Sequence, residues 1–576
     1  MRATSTALQH LRLCAGLLTI LTFLHPDLVV AREARDMNAA FTAIADRFVE
    51  GLLRYSPVTA TQLGDHRYDS QLDDVGEDAR RGRVAELRSL LADLDAIDVA
   101  ALSRSNQVDF QLLRHELRKG IWEIERLREW EWNPLVYARI PGDAIYLLVA
   151  RGSAPLEERL AHVAARCREF PRLFTQARQA LVAAKTPHIH AETAVAQTKG
   201  ILDLIDAAIV PELSKVSAET RTAVTEALDI GRQAVTAQHQ WLQSELLPNA
   251  RGTPRLAADL YHEKFGFDLF SSFSPQELRT LAEREIATLH EQMYELSLRI
   301  QAAREPGFAA PASPSPADKK ALIRRCLDLA AADGPTPAGV VDAAKYSLRI
   351  TTDFVREKDL LTLPVEPLEI IVMPEFRRGV SVAYCDAPGP LEVGGKTFYA
   401  VSPPPANWTA TQVGSFLREY NFRSLHNLTV HEAMPGHYVQ LLRSNAVSSR
   451  LRAILGSGTF IEGWAVYTEE MMVEEGFLPD DLLMRLVVMK WHLRGASNAI
   501  LDQMIHLDGC DEKTAMTLMM DDAFQEEREA AGKYRRAQLT SAQLSTYFAG
   551  YREILDLREA VTKARGDRFT LKGFHD

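Results

Sequence analysis

Apolar residues recur at every third and fourth position from about residue 37 to residue 301. Segments such as AFTAIADRFVEGLLRY and VDFQLLRHELRKGIWEIERL place their apolar side chains along one stripe of a helix. Such stripes are buried by packing helix against helix. The sequence shows no repeat of fixed length of the kind that would indicate a solenoid. The sequence therefore predicts a mainly α protein built from layers of packed helices.

Three short runs rich in β-branched and aromatic residues interrupt this pattern, and they read LEIIVMPEF, GVSVAYCD and GKTFYAVS. Pro and Gly separate them, which predicts a small antiparallel sheet. After PPPANW the chain returns to a helical pattern. Thr409 or Thr411 can cap one helix that runs through SFLREYNFRSLHNLTVHEAM.

Residues 303–320 are rich in Pro, Ala and Ser and poor in bulky apolar side chains. This composition predicts an exposed linker or flexible loop. It separates an N-terminal helical part, residues 32–302, from residues 321–576, which carry the predicted sheet and the motif described below. We expect the two parts to form one compact unit.

The N-terminus has the composition of a signal peptide. Arg2 and Arg12 precede an apolar run, LCAGLLTILTFL. After it, Val29 and Ala31 suit the small-residue positions before a cleavage site. We predict a signal peptide over residues 1–31 and a periplasmic or secreted protein. A membrane anchor is the alternative, but the run is short and a His-Pro-Asp sequence ends it. Cys14 follows Leu13 rather than a small residue, which argues against a lipoprotein acceptor.

The net charge of -11 and the pI near 5.9 argue against a nucleic-acid partner. The remaining cysteines, Cys167, Cys326, Cys385 and Cys510, are widely scattered. They do not form a disulfide framework or a thiolate zinc cluster. One or two disulfides and free thiols are both compatible with this spacing, and the oligomeric state is left open.

The sequence HEAMPGH, residues 431–437, is a variant of a zinc-protease motif. In H-E-x-x-H the two histidines lie four residues apart on one helix face, where both reach one metal ion. Here the separation is six residues, which on a regular helix turns His437 about 240° away from His431. Pro435 cannot continue the helix, and Gly436 can adopt backbone angles that other residues avoid. A helix that resumes at His437 would point both imidazoles into one cavity.

Glu462, in GTFIEGWAVYTEEMM, is the candidate third ligand. Its apolar neighbours predict burial, and a zinc ion would compensate a buried carboxylate. Glu469 lies two turns later on the same side and can orient a ligand histidine. The structural alternative is that these side chains only complete a core. His426 is expected to serve helix packing, and His492 and His506 can be core residues or substrate contacts.

Several segments resemble the bacterial domain-of-unknown-function family 885. They include SPVTATQLGDHRYDSQLDD, WEWNPLVYARI, LTVHEAMPGHYVQ, EGWAVYTEEM and RGASNAILDQMIH. The H-E-x-x-P-G-H element is the specific part, so the two-residue insertion resembles a family trait. That family is similar to the Taq-type carboxypeptidases and angiotensin-converting enzyme. The resemblance implies a large gluzincin-like helical shell around a deep cleft, with a small sheet near the metal.

The resemblance also implies roles for individual residues. His431, His437 and Glu462 would hold one Zn²⁺ ion, and Glu432 would be the general base for an attacking water. Tyr547, in QLSTYFAG, would stabilise the oxyanion.

Substrate contacts are assigned to five further residues, namely Arg494, His506, Tyr534, Arg535 and Tyr384. Arg494 can bind the C-terminal carboxylate of a peptide through a bidentate pair, or it can pair with Asp502. The strand that carries Tyr384 can offer its edge to an extended peptide or can simply cap the core.

The leading hypothesis is thus an exported zinc metallopeptidase acting on short peptides. One alternative is a metal-dependent amidohydrolase acting on a modified amino acid or another non-standard amide. A second alternative is a periplasmic peptide-binding protein without catalysis, although the intact Glu432 argues against it.

Overall fold

The computed structural model describes residues 26–373, 382–392, 394–405 and 407–576, with side chains described from residue 36 onward. Residues 1–25 of the predicted signal peptide, residues 1–31, lie outside the described residues. The prediction of a mainly helical protein is confirmed.

Between residues 26 and 304, the described part of the chain forms twelve α-helices, and short 3₁₀ and π turns join several of them. They are α1 (Pro26–Tyr55), α2 (Pro57–Leu63), α3 (Glu77–Asp95), α4 (Arg104–Trp122), α5 (Glu129–Trp132), α6 (Leu135–Ala150), α7 (Leu156–Ala180), α8 (His188–Leu204), α9 (Ala218–Trp241), α10 (Leu247–Asn249), α11 (Ala258–Leu269) and α12 (Pro275–Arg304).

The remaining described helices follow an irregular segment, residues 305–315. They are α13 (Pro316–Ala331), α14 (Val340–Glu357), α15 (Ala410–Glu419), α16 (Phe422–Glu432), α17 (His437–Asn445), α18 (Arg450–Ile454), α19 (Gly458–Glu474), α20 (Leu482–Gln503), α21 (Glu512–Thr517), α22 (Glu527–Leu539), α23 (Thr546–Arg565) and α24 (Leu571–His575).

A three-stranded sheet lies between α14 and α15 in sequence, formed by β1 (Leu368–Val372), β2 (Ala383–Asp386) and β3 (Thr397–Val401). The strand order is β1-β3-β2, with β3 antiparallel to β2 and parallel to β1. The sheet is therefore mixed, and the prediction of a purely antiparallel sheet was wrong. β3 inserts between the two earlier strands, so reversing direction after β2 makes it parallel to β1. Residues 374–381 of the predicted runs lie outside the described residues.

The helix predicted to end at the histidine motif is two helices, α15 and α16. Thr409, one of the two residues predicted as the helix cap, caps α15 through a capping box with Gln412. At Tyr420 the backbone leaves the helical region. The Asn421 side chain then accepts hydrogen bonds from the backbone N–H groups of residues 423 and 424, which starts α16. The periodicity missed this break because apolar residues continue across it.

The largest apolar core unites both sides of residues 305–315, since it includes Tyr261 and Ile300 as well as Ile323 and Ile554. Within it α19 packs along α23, and α12 packs along α20. The division into domains stays a prediction. The four cysteines after residue 36 are free thiols. Among the described residues, no helix combines the length and apolar character that crossing a bilayer requires.

Ionic contacts join the N-terminal helices to the segment around the sheet. His66 Nδ1 lies 2.8 Å from Asp69 Oδ2, and its Nε2 lies 3.1 Å from Glu392 Oε2, in the loop between β2 and β3. Arg151, at the end of α6, pairs with Asp386 of β2 at 2.7 Å. Hydrogen bonding to Asp69 raises the pKa of His66 to about 9, with Glu392 acting in the same direction and burial opposing both.

This pKa gives a prediction for stability against pH. Because the folded-state pKa of His66 is raised, its contribution to the free energy of unfolding is complete below about pH 6.5 and is lost as pH rises through about 9. With 34% of the side chain exposed, solvent screening reduces the effect to about 1 kcal/mol. Chemical denaturation from pH 6 to pH 10 should show this loss in the wild type and not in His66→Gln. Glu392→Gln, which keeps the Asp69 contact, should lose only part of it, and an unchanged pH profile in His66→Gln would refute the assignment.

Candidate metal centre

The two histidines of the motif lie on separate helices joined by a tight turn. α16 ends at Glu432 and α17 begins at His437, so residues 433–436 form the turn. The backbone N–H groups of Ala433 and Met434 both donate to Thr429 O, at 2.9 and 3.0 Å, and Gly436 N donates to the carbonyl of residue 430 at 2.9 Å. The bonds from Met434 and Gly436 span more residues than a regular helical bond, and they hold the two extra residues outside the helical ladder. The Met434–Pro435 peptide is cis.

Gly436 is required at this turn for a steric reason. A Cβ atom at this position would lie 1.9 Å from His431 O. Its backbone angles, φ -74° and ψ -127°, lie outside the regions that other residues favour, as the sequence predicted, and the close approach of the His431 carbonyl adds a second requirement for glycine. On the far side, Trp464 Nε1 donates to Pro435 O at 3.0 Å and fixes the turn against α19.

The turn brings His431 and His437 together with Glu462 of α19. One ligand atom from each of the three side chains lies within 4.8 Å of the other two. Glu462 Oε2 is 3.6 Å from the Nε2 atoms of both histidines, and the ring centroids are 4.7 Å apart with planes at 81°. Tetrahedral zinc with bonds near 2.1 Å separates its ligand atoms by about 3.4 Å, so this spacing fits one ion.

Hydrogen bonding gives a second test of fit. Glu462 Oε2, which faces both imidazoles, is buried and accepts no hydrogen bond within the described part of the chain. A carboxylate oxygen buried in this way is destabilising unless a cation compensates it. Among the described residues, this trio is also the one group of three histidine, cysteine or acidic side chains arranged to hold a metal ion. The donor set and its spacing both suit Zn²⁺.

A buried glutamate orients His431. Glu469 Oε1 lies 2.7 Å from His431 Nδ1, and Glu469 Oε2 accepts from Asn427 Nδ2 at 2.6 Å. The proton of His431 is thereby directed to Nδ1, which leaves Nε2 facing Glu462. Burial alone would lower the pKa of His431, but the carboxylates of Glu462 and Glu469 outweigh it and raise the pKa to about 10.

His437 lies in a different environment, because its Nδ1 has no hydrogen-bond partner in the described structure. Burial, and secondly the charge on His431, lower the pKa of His437 to about 4. For Glu462, burial raises the pKa, but His431, His437 and Arg536 together bring it below its usual value. The centre therefore contains one readily protonated imidazole, one neutral imidazole and one ionised carboxylate.

Glu432 adjoins this trio from the sheet side and is 8% exposed. Burial raises the pKa of Glu432 to about 7, while the charge on His431 and the backbone of Cys385, in β2, act in the opposite direction. β2 thus supports the side chain that the motif predicts as general base. Tyr384 lies on the same strand.

Tyr547 lies on the other side of the centre. Its ring stacks on that of His431 at 6.4 Å with an angle of 22° between the planes. Arg536 Nη2 donates to Tyr547 OH at 3.3 Å and to Gln543 Oε1 at 2.8 Å. Burial, and secondly the charge on Glu462, raise the pKa of Tyr547, so its hydroxyl remains a proton donor.

Close packing of α19 against α23 places Tyr547 beside Glu462. A Cβ on Gly463 would lie 2.3 Å from the backbone of Gly550, and a Cβ on Gly550 would lie 1.8 Å from Thr459 O. The two helices approach this closely because glycines face each other. Glu462 adjoins the first glycine in sequence, and Tyr547 precedes the second by almost one turn.

Arg536 is a site residue that sequence reasoning missed. The prediction chose Tyr534 and Arg535 from the same segment. On α22, Ala530, Lys533 and Ala537 are buried, which places Arg536 on the inward side of the helix. The helical spacing of the two alanines was the signal in the sequence that distinguished Arg536 from its neighbour.

Three of the predicted substrate contacts, Arg535, His506 and Tyr534, have partners outside the trio. Arg535 is exposed and pairs with Glu192 of α8 at 3.1 Å. His506 Nε2 lies 2.8 Å from the carbonyl oxygen of residue 540, and its ring stacks on Tyr261. Tyr534 packs against a separate apolar cluster, whose buried members are seven residues from the stretch between residues 501 and 544.

Arg494 pairs with Glu529 of α22 at 2.5 Å. The predicted alternative of a pair with Asp502 is wrong, because Asp502 instead accepts from Tyr261 OH at 2.5 Å. Arg494 and Asp502 lie eight residues apart on α20, a little more than two helical turns.

A cavity of about 730 Å³ lies between the N-terminal helices, the loop after β2 and helices α17 to α19. Its lining includes Cys385, Gln440, Ile461 and Trp464, which are neighbours of the centre in sequence or in space. Its walls are mostly apolar, with leucine, isoleucine and proline side chains from both halves of the chain. This volume lies within the range of small-molecule and peptide pockets.

The fold and the site together define a mainly helical protein whose buried histidine and glutamate side chains converge on one point. The profile of a family described as "Bacterial protein of unknown function (DUF885)" matches residues 57–576. The chain therefore belongs to this family. A comparison with curated proteins finds no match.

Two solved structures share the fold over nearly the whole chain. One is a "putative lipoprotein of unknown function" from Shewanella oneidensis, with a TM-score of 0.78 and 31% identity over 93% of this chain and 96% of that chain. The other is a "putative lipoprotein" from Colwellia psychrerythraea, with a TM-score of 0.74 and 18% identity over 93% of this chain and 95% of that chain. The second likeness shows the fold alone.

The steric role of Gly436 gives a prediction for stability. Gly436→Ala should destabilise the protein by about 1 to 3 kcal/mol, because the added methyl group forces the turn away from His431 O. Gly414→Ala is a matched control on α15, where an added Cβ meets nothing within 4 Å. Urea denaturation of both variants measures the difference, and equal stabilities would contradict the role assigned to Gly436.

Proposed function

We propose that the chain is an exported zinc-dependent metallopeptidase that hydrolyses short peptides. The observation that carries the proposal is the convergence of His431, His437 and Glu462, with a buried Glu462 oxygen that accepts no hydrogen bond among the described residues. The N-terminal sequence and the lipoprotein descriptions of the two similar structures support export.

In this proposal His431, His437 and Glu462 hold the ion. Zn²⁺ in such a site supplies Lewis-acid polarisation of a carbonyl and makes water a stronger nucleophile near neutral pH. Glu469, held by Asn427, keeps His431 oriented with Nε2 towards the ion.

The remaining residues move protons and stabilise charge. Glu432 would take a proton from the attacking water as the water oxygen forms a C–O bond to the carbonyl carbon; it would then give that proton to the amine nitrogen as the peptide C–N bond breaks and the carbonyl re-forms. Tyr547 donates a hydrogen bond to the carbonyl oxygen as negative charge develops there. Arg536 positions the Tyr547 hydroxyl.

The ligand assignment predicts the behaviour of a histidine variant. His437→Ala should reduce zinc from one equivalent to well below one while the helical circular dichroism is retained, because one of three protein ligands is lost. His426→Gln is the control, since His426 lies five residues before His431 and contacts Ser347 instead. Metal analysis of the purified proteins makes the comparison, and full zinc occupancy in His437→Ala would remove that residue from the ligand set.

The base assignment predicts a variant that binds zinc without catalysis. Glu432→Gln should retain one zinc equivalent and lose about 100-fold to 10,000-fold in kcat/KM, because the amide cannot accept the proton. Zinc removal by a chelator should abolish wild-type cleavage, and zinc addition should restore it. The assay is cleavage of a mixed peptide library, and undiminished cleavage by Glu432→Gln would exclude Glu432 as the base.

The same assays distinguish the alternatives. If the zinc-loaded wild type cleaves no peptide but cleaves N-acylated or otherwise modified amides, the amidohydrolase alternative is correct. If it binds peptides and cleaves neither class, the non-catalytic binding protein is correct.

A further inference from the structure

Lys533 and Arg494 belong to a group of inward-facing cations beside the proposed metal centre. On α22, Lys533 shares a helix face with Glu529 and Arg536, because residues three and four apart lie on the same side. Lys533 is only 5% exposed, and its Nζ has no hydrogen-bond partner in the described part of the structure. Arg494 Nη1, from α20, is likewise buried without a partner. Buried donors of this kind are destabilising unless a ligand satisfies them.

The carboxylates of this region already have partners. Glu529 accepts from Arg494 Nη2 at 2.5 Å through one oxygen and from Tyr420 OH at 3.2 Å through the other. Glu419 Oε2 accepts from Lys490 Nζ at 2.8 Å and from a backbone N–H at 3.1 Å. Neither carboxylate hydrogen-bonds Lys533.

Lys533 and Arg536 are therefore basic groups without a carboxylate hydrogen-bond partner among the described residues. Arg536 donates to Gln543 and Tyr547, which are both neutral. Burial, and secondly the charge on Arg494, lower the pKa of Lys533 strongly. An anion that arrived between Lys533 and Arg494 would satisfy both unmet donors and stabilise the ammonium form.

The cations adjoin both the proposed metal centre and solvent. Arg536 contacts Tyr547, and its charge lowers the pKa of Glu462, so the group lies on the Tyr547 side of the centre. The side chains of Arg494 and Glu529 keep 22% and 19% of their area exposed. Arg494 is thus partly exposed, although its Nη1 atom is buried, so that a ligand would enter beside the Arg494–Glu529 pair.

We propose that Lys533 and Arg494 bind a carboxylate of the substrate, which makes the enzyme selective for peptides with a free carboxylate near the scissile bond. The inference rests on the proposed peptidase function. Arg494 matches a planar carboxylate with its fork of N–H groups, and Lys533 adds a compact charge. A C-terminal carboxylate and an acidic side chain share this chemistry.

Three related peptides distinguish a C-terminal carboxylate from an acidic side chain. They are a peptide with a free C-terminal acid, the same peptide as its C-terminal amide, and that amide with a glutamate substituted next to the terminus. The wild type should cleave the free acid with a kcat/KM about tenfold to a hundredfold above that of the plain amide. A high rate on the glutamate-containing amide instead would identify the side-chain carboxylate as the group bound. Equal rates on all three peptides would overturn the inference.

Lys533→Met should bring the acid-to-amide ratio close to one while cleavage of the plain amide changes little. A merely structural lysine would lower both rates together. Arg535→Gln removes a charge from the same helix at an exposed position and should leave the ratio unchanged. The melting temperature of Lys533→Met should be equal to or above that of the wild type, because an unpaired buried amine is removed. A retained acid preference in this variant would exclude Lys533.

Binding measurements separate failure of the inference from failure of the proposed function. Calorimetry with an N-acetylated tripeptide acid and its amide, on zinc-loaded Glu432→Gln protein, requires no cleavage. Tighter binding of the acid that is lost on adding Lys533→Met supports the carboxylate site even if the wild type cleaves no peptide. Equal binding of acid and amide overturns the site even if peptides are cleaved.

Discussion

The convergence of two imidazoles on one buried carboxylate is the constraint on which the rest of the site depends. Glu462 lies on α19 among apolar neighbours, and its inward oxygen faces the Nε2 atoms of His431 and His437 at equal distances of 3.6 Å. That geometry requires a close turn between α16 and α17, which only a glycine at residue 436 permits without a clash. It also requires α19 to lie tightly against α23, which the facing glycines at residues 463 and 550 allow.

Charge is distributed unevenly around this point. Glu432 and Glu469 adjoin His431, whereas Arg536 contacts Tyr547, which lies beside Glu462. Because low-dielectric surroundings strengthen such fields, this distribution of charge would favour one orientation of a polar substrate in the proposed function. The proposed chemistry and the proposed carboxylate selectivity therefore draw on the same separation of charge.

The sequence predicted the helical class because period-three-and-four patterns extend over long segments, and it predicted the candidate ligands because a proline and a glycine lie between two histidines. It could not predict strand order, since three short runs do not encode which strand is central. It missed the break at Asn421 because the apolar pattern continues across it. Arg536 was missed because a helix face is defined by burial of its neighbours, whereas Arg535 beside it has the same chemistry and faces solvent.

The buried carboxylates of Glu432 and Glu469 and the partly buried carboxylate of Glu462 lie near two imidazoles in this centre, and their pKa values bear on which ligand the centre favours. A raised pKa places a proton on His431, and burial raises the pKa of Glu432 to about 7. These adjustments reduce the repulsion among the carboxylates, yet Glu462 stays ionised with an oxygen that accepts no hydrogen bond within the described structure. An ionised carboxylate oxygen without a hydrogen-bond partner does not stabilise the fold. The fold alone does not imply a chemical function, so any such function is inferred from this group of side chains. A divalent cation at this point would contact that oxygen and both Nε2 atoms at once, and this supports the proposed metal centre.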